Sequence, residues 1–456
     1  MPTAPGRARM WSVQRERRRA ARDRDHGLDG WAELWPSRGN VRADLVGRAL
    51  RLIADGVVER DGVAGLARRL GCTERHVHRL LVAEVGCGAR ALARSRGAQT
   101  ARLLLETTAL PLAEVAVAAG FASPGQLDGA VREAFRTTPA ALRAAASRLS
   151  GGGARGSTCV RLPYRPPLYA AGLLDFLAAR AVPGVEEVRD GSYVRSLRLP
   201  HGSGTMELTP QDGHVRCALR LDDLRDLGPA VHRARRLLDL DADAVDVDAS
   251  LGADPLLRPL VAGTPGRRLP GTVDGPELAI RAVLGQQVSV AGARTLTGRV
   301  VARYGTRLAV PVGTVTDLFP SPDQLAAADP ADLPLPGSRA RTLTTLAAAL
   351  ARGSVTVDEG ADRAAAREAL LALPGVGPWT ADYVAMRALG DPDVFLPTDL
   401  GVRRALRHLG QPASGPAVAA LAERWRPWRS YALLHLWAAG PRPPARPTAQ
   451  SSARLR

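Results

Sequence analysis

Apolar residues recur at three- and four-residue spacing from Asp44 to about Arg148, as in LVGRALRLIADGV, VAGLARRL and RHVHRLLVAEV. This spacing places apolar side chains on one helix face, so it predicts amphipathic helices. From Val160 to about Leu251, short alternating runs such as SYVRSLRL, GTMELTP and HVRCALRL lie between the helical segments LYAAGLLDFLAARA and PAVHRARRLL. Alternation with period two predicts half-buried strands. We therefore expect an all-helical domain followed by an α+β domain.

Helical periodicity returns after about Pro255 and continues to about Ala439, with Pro/Gly turns between helices. Three stretches lack periodicity, namely an Arg-rich opening, a Gly/Ser-rich segment and a Pro/Arg-rich end, and these compositions are typical of disordered segments. The predicted fold class is multidomain and mainly α with one α+β domain. The predicted divisions are a basic disordered arm (1–43), a helical domain (44–148), a linker (149–159), an α+β domain (160–254), an all-α domain (255–440) and a disordered tail (441–456).

The charge balance predicts a polyanionic partner. The 456 residues include 62 basic and 45 acidic side chains, a net charge of +17. The sequence contains no lysine, so every basic side chain is an arginine, whose planar fork suits phosphates. Residues 1–150 hold 25 arginines against 15 acidic residues, and the basic excess leans towards this part. The absence of lysine also excludes chemistry that needs a lysine amine.

Cysteine usage and hydropathy predict a cytoplasmic protein with no membrane contact, and the polyanionic partner predicted from the charge favours association with the nucleoid. The four cysteines, at positions 72, 87, 159 and 217, form no CxxC pair, which matches neither a disulfide framework nor a thiolate zinc site. No apolar run approaches the roughly 18 residues of a membrane span, and the basic start lacks the apolar stretch of a signal peptide. No glycine-rich phosphate loop is present, so no nucleotide cofactor is expected. Protein partners stay unknown.

The segment LALPGVGPWTADYV is the most specific motif in the chain. Gly375 and Gly377 stand where a tight hairpin between two helices needs a flexible backbone, and Thr380 lies at the start of the second helix. Backbone N–H groups at such a helix start can hold a DNA phosphate without reading sequence. We predict DNA-backbone contacts by Gly375, Val376, Gly377 and Thr380. The alternative is a glycine turn that serves helix packing alone.

An acidic residue follows the hairpin. Asp399 lies 20 residues after Trp379, in FLPTDLGVRR, at the predicted start of another helix. A helix N-cap is the alternative role for this carboxylate.

With these motifs, the chain from about Arg161 to Trp437 resembles the helix-hairpin-helix DNA glycosylase superfamily, specifically the AlkA-type 3-methyladenine DNA glycosylases. Four blocks carry the resemblance: RLPYRPPL, ELAIRAVLGQQVSVAGARTLTGRVVARYG, the segment from the hairpin to Asp399, and ERWRPWRSYALLHLW. It implies base-excision repair, in which alkylated purines are flipped out of double-stranded DNA and their N-glycosidic bonds hydrolysed to leave an abasic site. It also implies that Asp399 is the catalytic carboxylate. A fixed anion suits this reaction because positive charge develops on the sugar in the transition state.

The resemblance further implies a pocket for the flipped base, formed by Gln286, Trp379, Tyr383 and Trp437. Aromatic faces attract the positive charge of an alkylated purine, although ordinary core packing is the alternative for these aromatics. Gln287 matches the wedge that enters DNA, which is apolar in the family. Leu400 stands where the family has an aromatic residue, and this leaves the lesion range open.

Two related enzyme classes are excluded by residue type. Bifunctional relatives form a Schiff base through a lysine at the position of Trp379, and this chain has no lysine. Iron–sulfur relatives need four clustered cysteines near the C-terminus, but the last cysteine here is Cys217. We therefore expect a monofunctional glycosylase that requires no cofactor. By resemblance, the backbone carbonyls of Leu371, Leu373 and Val376 hold a monovalent or other cation that bridges to phosphate.

Residues 44–143 resemble the AraC-type DNA-binding domain, which has two helix-turn-helix units. VAGLARRLGCTERHVHRLLVAEVG fits the first unit, and LAEVAVAAGFASPGQLDGAVREAFRTTPAALR fits the second. From the first recognition helix, Arg75, His76 and Arg79 are expected to contact DNA. Pro124 and Asp128 in the second recognition helix favour a grip on the DNA backbone over base readout. A plain helical bundle is the alternative.

This domain arrangement is similar to Ada-type repair fusions, although the opening has no cysteines for their zinc module. Methyl transfer is therefore not expected, and the domain is predicted to target DNA or to be a vestigial regulator of transcription. We also expect it to be separable, so that loss of residues 1–150 leaves base excision largely intact. The alternative function is an AraC-type transcription regulator whose glycosylase-like part is a non-catalytic scaffold.

Overall fold

The computed structural model describes residues 41–147 and 157–440, of which residues 41–43, 146 and 147 are described in backbone only. The predicted tail, and most of the predicted arm and linker, lie outside these residues. Among the described helices, none combines the length and the apolar composition that crossing a membrane requires.

The N-terminal region is helical, as predicted. Its helices are α1 (Val41–Ala54), α2 (Val57–Leu70), α3 (Glu74–Val85), α4 (Ala89–Thr107), α5 (Leu112–Ala118), α6 (Pro124–Phe135) and α7 (Pro139–Ser147). Helices α2 and α3 form the first helix-turn-helix unit, and Thr73 caps α3 by accepting the His76 N–H at 3.3 Å. Helices α5 and α6 form the second unit, in which Ser123 caps α6 through the Gln126 N–H at 3.3 Å. Helix α4 lies between the two units.

An antiparallel five-stranded sheet confirms the α+β region. Its strands are β1 (Thr158–Pro163), β2 (Glu186–Arg189), β3 (Ser192–Arg198), β4 (Ser203–Gln211) and β5 (His214–Leu221), in the order β1-β5-β4-β3-β2. Alternate residues of β5, Val215, Cys217 and Leu219, are buried. They pack in one core with helices α8 (Ala170–Arg180) and α9 (Leu227–Leu237).

The C-terminal region is mainly helical. Its helices are α10 (Ala244–Gly252), α11 (Arg258–Gly263), α12 (Gly275–Leu284), α13 (Val290–Tyr304), α14 (Pro322–Ala326), α15 (Gly337–Ala351), α16 (Arg363–Leu371), α17 (Pro378–Arg387), α18 (Leu400–His408), α19 (Gly415–Ala422) and α20 (Arg429–Ala439). The expectation that this region is entirely helical is wrong at one place, where strands β6 (Thr306–Val312) and β7 (Val315–Leu318) form a hairpin. Leu308, Val315 and Leu318 of this hairpin pack against Val194 of β3, and their burial stabilises the strands.

Two apolar cores divide the C-terminal helices. Helices α12, α13, α15, α16 and α17 contribute to one core, and helices α10, α11, α18, α19 and α20 contribute to the other. Tyr383 packs against both cores, whereas Trp379 and Trp437 pack against the second. The predicted site therefore lies where the two helical groups meet.

Candidate active site

Helices α16 and α17 are joined by a tight hairpin over residues 372–377. Gly375 has a φ of 82°, and a Cβ at this position would lie 2.1 Å from Thr342 Oγ1. Another residue at Gly375 would therefore be strained and crowded. Gly377 has a φ of −94° and open space around it, so the predicted need for glycine holds only at Gly375.

The first turn of α17 presents backbone donors at the hairpin. Gly377 is the N-cap and Pro378 has no N–H, so the N–H groups of Trp379 and Thr380 lack partners within the helix. Such donors suit a phosphate oxygen. Val376 and Thr380 are buried as whole residues, at 6% and 3% exposed. The Val376 N–H already donates to the Leu373 carbonyl at 3.1 Å. The contacts of these two residues with the DNA backbone stay predictions.

Gln286 connects the end of α12 to the hairpin. Its Nε2 donates to the Gly375 carbonyl and to Thr380 Oγ1, both at 3.0 Å. These bonds hold the hairpin against α12, which is a supporting role that the sequence did not indicate. The predicted place of Gln286 beside the flipped base stays a prediction.

Asp399 is held by three donors. As the N-cap of α18, its Oδ1 accepts the N–H of Val402 at 3.0 Å. The same oxygen accepts Trp437 Nε1–H at 2.9 Å, and Oδ2 accepts Trp379 Nε1–H at 3.0 Å. The N-cap alternative is therefore correct as a description of the contact. The indole N–H groups of two predicted pocket residues also donate to this half-buried carboxylate. A capping role alone does not require these two bonds.

Four aromatic rings form two stacked pairs at the site. Trp379 and Tyr383 are stacked, with ring centroids 5.1 Å apart and planes 6° apart. Trp437 stacks on Phe176 with centroids 6.5 Å apart. The sequence analysis missed Phe176, which lies on α8 of the α+β region. In the sequence it reads as one of several apolar residues of an ordinary helix, so no local signal distinguishes it.

Arginines lie behind these rings. The guanidinium carbon of Arg180 is 3.7 Å from the Phe176 ring centroid, and that of Arg387 is 4.8 Å away. Arg387 Nη1 also donates to the Tyr383 hydroxyl at 3.0 Å. Burial alone would raise the pKa of Tyr383, but the charges of Arg387, Arg180 and Arg281 outweigh it and lower that pKa. The aromatic rings of the predicted pocket are thus in direct contact with positively charged side chains.

Gln287 and Leu400, the two positions at which the chain departs from the family, lie at the surface. Gln287 is exposed in the loop between α12 and α13, with a φ of 56°, and Val288 and Val290 beside it are 37% and 45% exposed. Leu400, next to Asp399, is 61% exposed. The wedge role of Gln287 stays a prediction.

The first recognition helix, α3, has one exposed polar side and one buried side. Arg75, His76 and Arg79 are exposed, whereas Val77 and Leu80 are buried. The predicted DNA-contacting side chains are therefore accessible.

The predicted cation site consists of backbone oxygens. The Leu373 carbonyl accepts the Val376 N–H at 3.1 Å, which leaves it a second lone pair. Within residues 41–147 and 157–440, no hydrogen bond to the carbonyls of Leu371 or Val376 is formed. Neutral oxygens of this kind fit a hard cation.

Comparison with known proteins gives three consecutive matches along the chain. Residues 66–145 match the family "Helix-turn-helix domain", residues 159–274 match "AlkA N-terminal domain", and residues 280–430 match "HhH-GPD superfamily base excision DNA repair protein".

Named relatives and a solved structure agree with these matches. The "Probable bifunctional transcriptional activator/DNA repair enzyme AlkA" of Mycobacterium tuberculosis is 55% identical over 400 residues, which cover 87% of this chain and 81% of that protein. The "DNA-3-methyladenine glycosylase 2" of Escherichia coli is 39% identical over 60% of this chain and 95% of its own length. The 3-methyladenine DNA-glycosylase of Archaeoglobus fulgidus has a similar fold, with a TM-score of 0.53 and 22% identity over 61% of this chain and 97% of that chain.

Proposed function

The chain belongs to the family of AlkA-type bifunctional transcriptional activator/DNA repair enzymes, and on this premise we propose that it is a DNA-3-methyladenine glycosylase that releases alkylated purines from double-stranded DNA. One observation carries the proposal. The carboxylate of Asp399 is held by the indole N–H groups of Trp379 and Trp437, which bind its two oxygens separately. This arrangement aims a negative charge at the place where an aromatic pocket receives a base.

The proposed chemistry is hydrolysis at the sugar carbon. The bond between C1′ and the base nitrogen breaks, and its electron pair leaves with the alkylated base, which thereby loses its positive charge. The sugar becomes positively charged, and the Asp399 carboxylate stabilises this state. Oδ1 already accepts two hydrogen bonds and Oδ2 accepts one, so Oδ2 has more capacity to take the proton of the attacking water. Water then adds to C1′ and an abasic site is left.

We propose that no strand cleavage accompanies base release. A lyase step needs an amine to form a Schiff base, and the side chains of this sequence include no lysine amine. Trp379, which stands where bifunctional relatives have that lysine, instead bonds to Asp399.

We propose that the hairpin binds the DNA backbone, with the N–H groups of Trp379 and Thr380 donating to a phosphate. The carbonyls of Leu371, Leu373 and Val376 would hold a cation at the same hairpin, where its charge would attract a phosphate. In the helix-turn-helix domain, we propose that Arg75, His76 and Arg79 contact DNA. In the second unit, Asp128 pairs with Arg132 at 2.7 Å, which neutralises its charge.

A non-catalytic scaffold is the weaker candidate. A DNA-binding scaffold needs the hairpin and the recognition helices. It does not need two indoles bonded to one carboxylate, nor a second stacked aromatic pair beside them.

Release of 7-methylguanine from methylated duplex DNA tests the function. We expect free base to appear while the strand stays intact until alkali is added, and Asp399→Asn to reduce release roughly a hundredfold or more. Strand nicks without alkali would contradict the monofunctional part. A folded wild-type protein that releases no base would favour the scaffold.

A further inference from the structure

Helix α1 of the helix-turn-helix domain contacts the loop that leads into the first hairpin helix, α16. Arg48 Nε donates to the Gly360 carbonyl at 2.6 Å, and its Nη1 lies 3.3 Å from Asp362 Oδ2. Arg51 Nε donates to the Glu359 carbonyl at 2.7 Å. Arg48 is only 8% exposed, so its charge is largely removed from water and depends on these partners.

Asp362 has a second task at this contact. It is the N-cap of α16, and its Oδ1 accepts the Ala365 N–H at 2.9 Å. The other oxygen of the same carboxylate pairs with Arg48. Helix α1 therefore holds the residue that begins the hairpin's first helix.

The α+β region reaches the same loop. Glu359 is 7% exposed, and its Oε1 lies 2.7 Å from Arg236 Nη1 of α9 while its Oε2 bonds His232 Nε2. Burial alone would raise the pKa of Glu359, but Arg236 and His232 hold it well below its usual range. The loop at 359–362 is thus the point where all three regions meet.

Backbone packing at this junction is close. A Cβ on Gly360 would lie 2.4 Å from Cδ1 and Cγ of Leu52, which is a buried residue of α1. Helix α1 and the loop therefore fit each other only because position 360 has no side chain.

Apolar packing reinforces the polar contacts. Ala98, Ala101 and Leu105 of α4 share one core with Leu227 and Ala230 of α9. The helix-turn-helix domain is therefore docked on the rest of the chain by burial as well as by ion pairs. This packing speaks against the expectation that the domain is separable.

The two hairpin helices differ in how firmly they are held. Of the nine residues of α16, only Ala366 and Leu370 are buried, whereas six of the ten residues of α17 are buried. Helix α17 also carries Arg387, which donates to the Gly271 carbonyl at 3.0 Å. Helix α16 is also tied to α17 and to the turn after it, because Arg367 pairs with Asp382 and Arg363 Nη2 donates to the Gly390 carbonyl at 3.1 Å. The contact at its N-terminus adds to these bonds.

We propose that the helix-turn-helix domain positions the DNA-gripping hairpin of the glycosylase, through Arg48 of α1 and the capping carboxylate Asp362 of α16. The proposal rests on the glycosylase function above. The hairpin binds the damaged strand more tightly when the N-terminus of α16 is held by Arg48, so loss of the contact weakens productive DNA binding. The pocket residues on α17, α18 and α20 keep their places, so the bound complex reacts at nearly the same rate.

Arg48→Met and Asp362→Asn, made in the full chain, test this role. Single-turnover excision of 7-methylguanine gives the half-saturating enzyme concentration and the maximal rate. Equilibrium binding to a duplex with a tetrahydrofuran abasic analogue gives a readout that does not require excision. We expect each change to raise half-saturation and Kd roughly three- to tenfold. This is less than the loss of a fully buried charged hydrogen bond, because the Asp362 side chain is 48% exposed and solvent screens the pair. The maximal rate should stay within about twofold, a change worth less than about 0.5 kcal/mol. The double variant should lose no more than the worse single variant.

If the two variants changed DNA affinity only through the net charge of the protein, their effects would be opposite. Arg48→Met removes a positive charge and would weaken DNA binding, whereas Asp362→Asn removes a negative charge and would strengthen it. Asn is also a good N-cap, so Asp362→Asn leaves α16 capped. Arg94→Met is the matched control, because Arg94 pairs with Glu133 inside the same domain and is 45% exposed. It should bind nearly as the wild type does.

Variants whose melting curves match the wild type and whose binding is unchanged would overturn the positioning role. Opposite shifts in the two variants, or a fall in maximal rate at unchanged half-saturation, would also overturn it. Loss of base release by the wild-type protein itself would count against the proposed function instead, while the binding assay would still decide the positioning role.

Discussion

The indole N–H of Trp379 donates to Oδ2 of Asp399 at 3.0 Å, so a residue of the predicted pocket also orients the predicted catalytic carboxylate. Trp379 lies in the first turn of α17, directly after the hairpin, and Asp399 caps α18. The DNA grip, the pocket and the carboxylate are therefore linked through one hydrogen bond. A substitution at either residue changes the surroundings of the other.

Asp399→Asn should reduce base release roughly a hundredfold or more, because the neutral amide cannot stabilise the positive sugar. Single-turnover excision of 7-methylguanine measures the loss, and a melting curve checks the fold. The amide would accept the Val402 N–H and still cap α18. Its NH2 group would then face the Trp379 N–H, so two donors would meet.

Trp379→Phe separates these effects, because it removes the donor and keeps an aromatic ring. On its own it should slow release by roughly tenfold, which corresponds to about 1.4 kcal/mol and lies at the low end of the loss for one hydrogen bond to a charge. The pair Asp399→Asn with Trp379→Phe should stay as inactive as Asp399→Asn. Recovery of activity in that pair would mean that the donor clash, and not the missing charge, causes the defect.

Trp437 allows its ring and its N–H to be tested separately. Trp437→Phe removes the bond to Asp399 Oδ1 and keeps an aromatic face, so it should slow release of cationic 7-methylguanine and neutral hypoxanthine by similar factors. Trp437→Ala also removes the face, and with it a cation–π attraction of about 0.5 to 2 kcal/mol. It should therefore slow 7-methylguanine more than hypoxanthine. If Trp437→Ala slowed the release of 7-methylguanine and hypoxanthine by equal factors, the Trp437 ring would contribute packing and no cation–π attraction.

The residue pattern alone predicted the glycine hairpin at Gly375 and an acidic residue after it. The pocket residues Gln286, Trp379, Tyr383 and Trp437 were predicted from the family resemblance, which supplies matches from separate parts of the chain. Phe176 and Arg180 were not found, because they reach the pocket through the docking of a separate region. The pairing of Arg48 with Asp362 spans 314 positions, and amphipathic periodicity does not specify which helix surfaces meet.

The β6–β7 hairpin was missed for a related reason. Its segment TRLAVPVGTVTDL is short and lies between long helical patterns, so it reads as a connecting turn. The strands gain burial from Val194 of β3, which belongs to another region of the chain. The alternation and Gly313 were the available signals.

Arg180→Met should shift the lesion preference towards cationic bases. The guanidinium carbon of Arg180 lies 3.7 Å from the Phe176 ring centroid, so its charge would oppose a positively charged base bound in the aromatic pocket. At an effective dielectric constant of about 20, two like charges about 10 Å apart repel by roughly 1.7 kcal/mol. Because solvent screens part of that effect, we expect the rate ratio of 7-methylguanine to hypoxanthine to rise by roughly three- to tenfold.

The exposed Arg161 of β1 provides the charge-matched control for this prediction. Arg161→Met removes the same charge and should leave the ratio unchanged. An unchanged ratio in a folded Arg180→Met variant would mean that this arginine supports the ring without affecting lesion choice, and a lower ratio would mean that its charge does not oppose cationic bases.

Asp239→Asn should stabilise the protein above pH 6. Burial raises the pKa of Asp239 to about 6, and the nearby Arg268 and the hydrogen bonds only partly offset it. The folded state therefore holds a proton that the unfolded state releases near pH 4. The stability that this group contributes is complete below about pH 4 and is lost as pH rises through 6, on the order of 3 kcal/mol. An asparagine carries no such dependence.

The geometry at position 239 suits the amide. Oδ2 of Asp239 accepts both the Leu269 N–H at 3.0 Å and the Tyr431 hydroxyl at 2.7 Å, so one amide oxygen can replace it. The φ of 53° is a conformation that asparagine tolerates well. Chemical denaturation at pH 4 to 8 should therefore show two stability curves that meet near pH 4, separate between pH 4 and 6, and stay a constant distance apart above pH 6, with the variant higher. Asp212→Asn, at an exposed turn position, should follow the wild type. A variant that is equally or less stable at pH 8 would show that the buried charge of Asp239 is fully compensated by its neighbours.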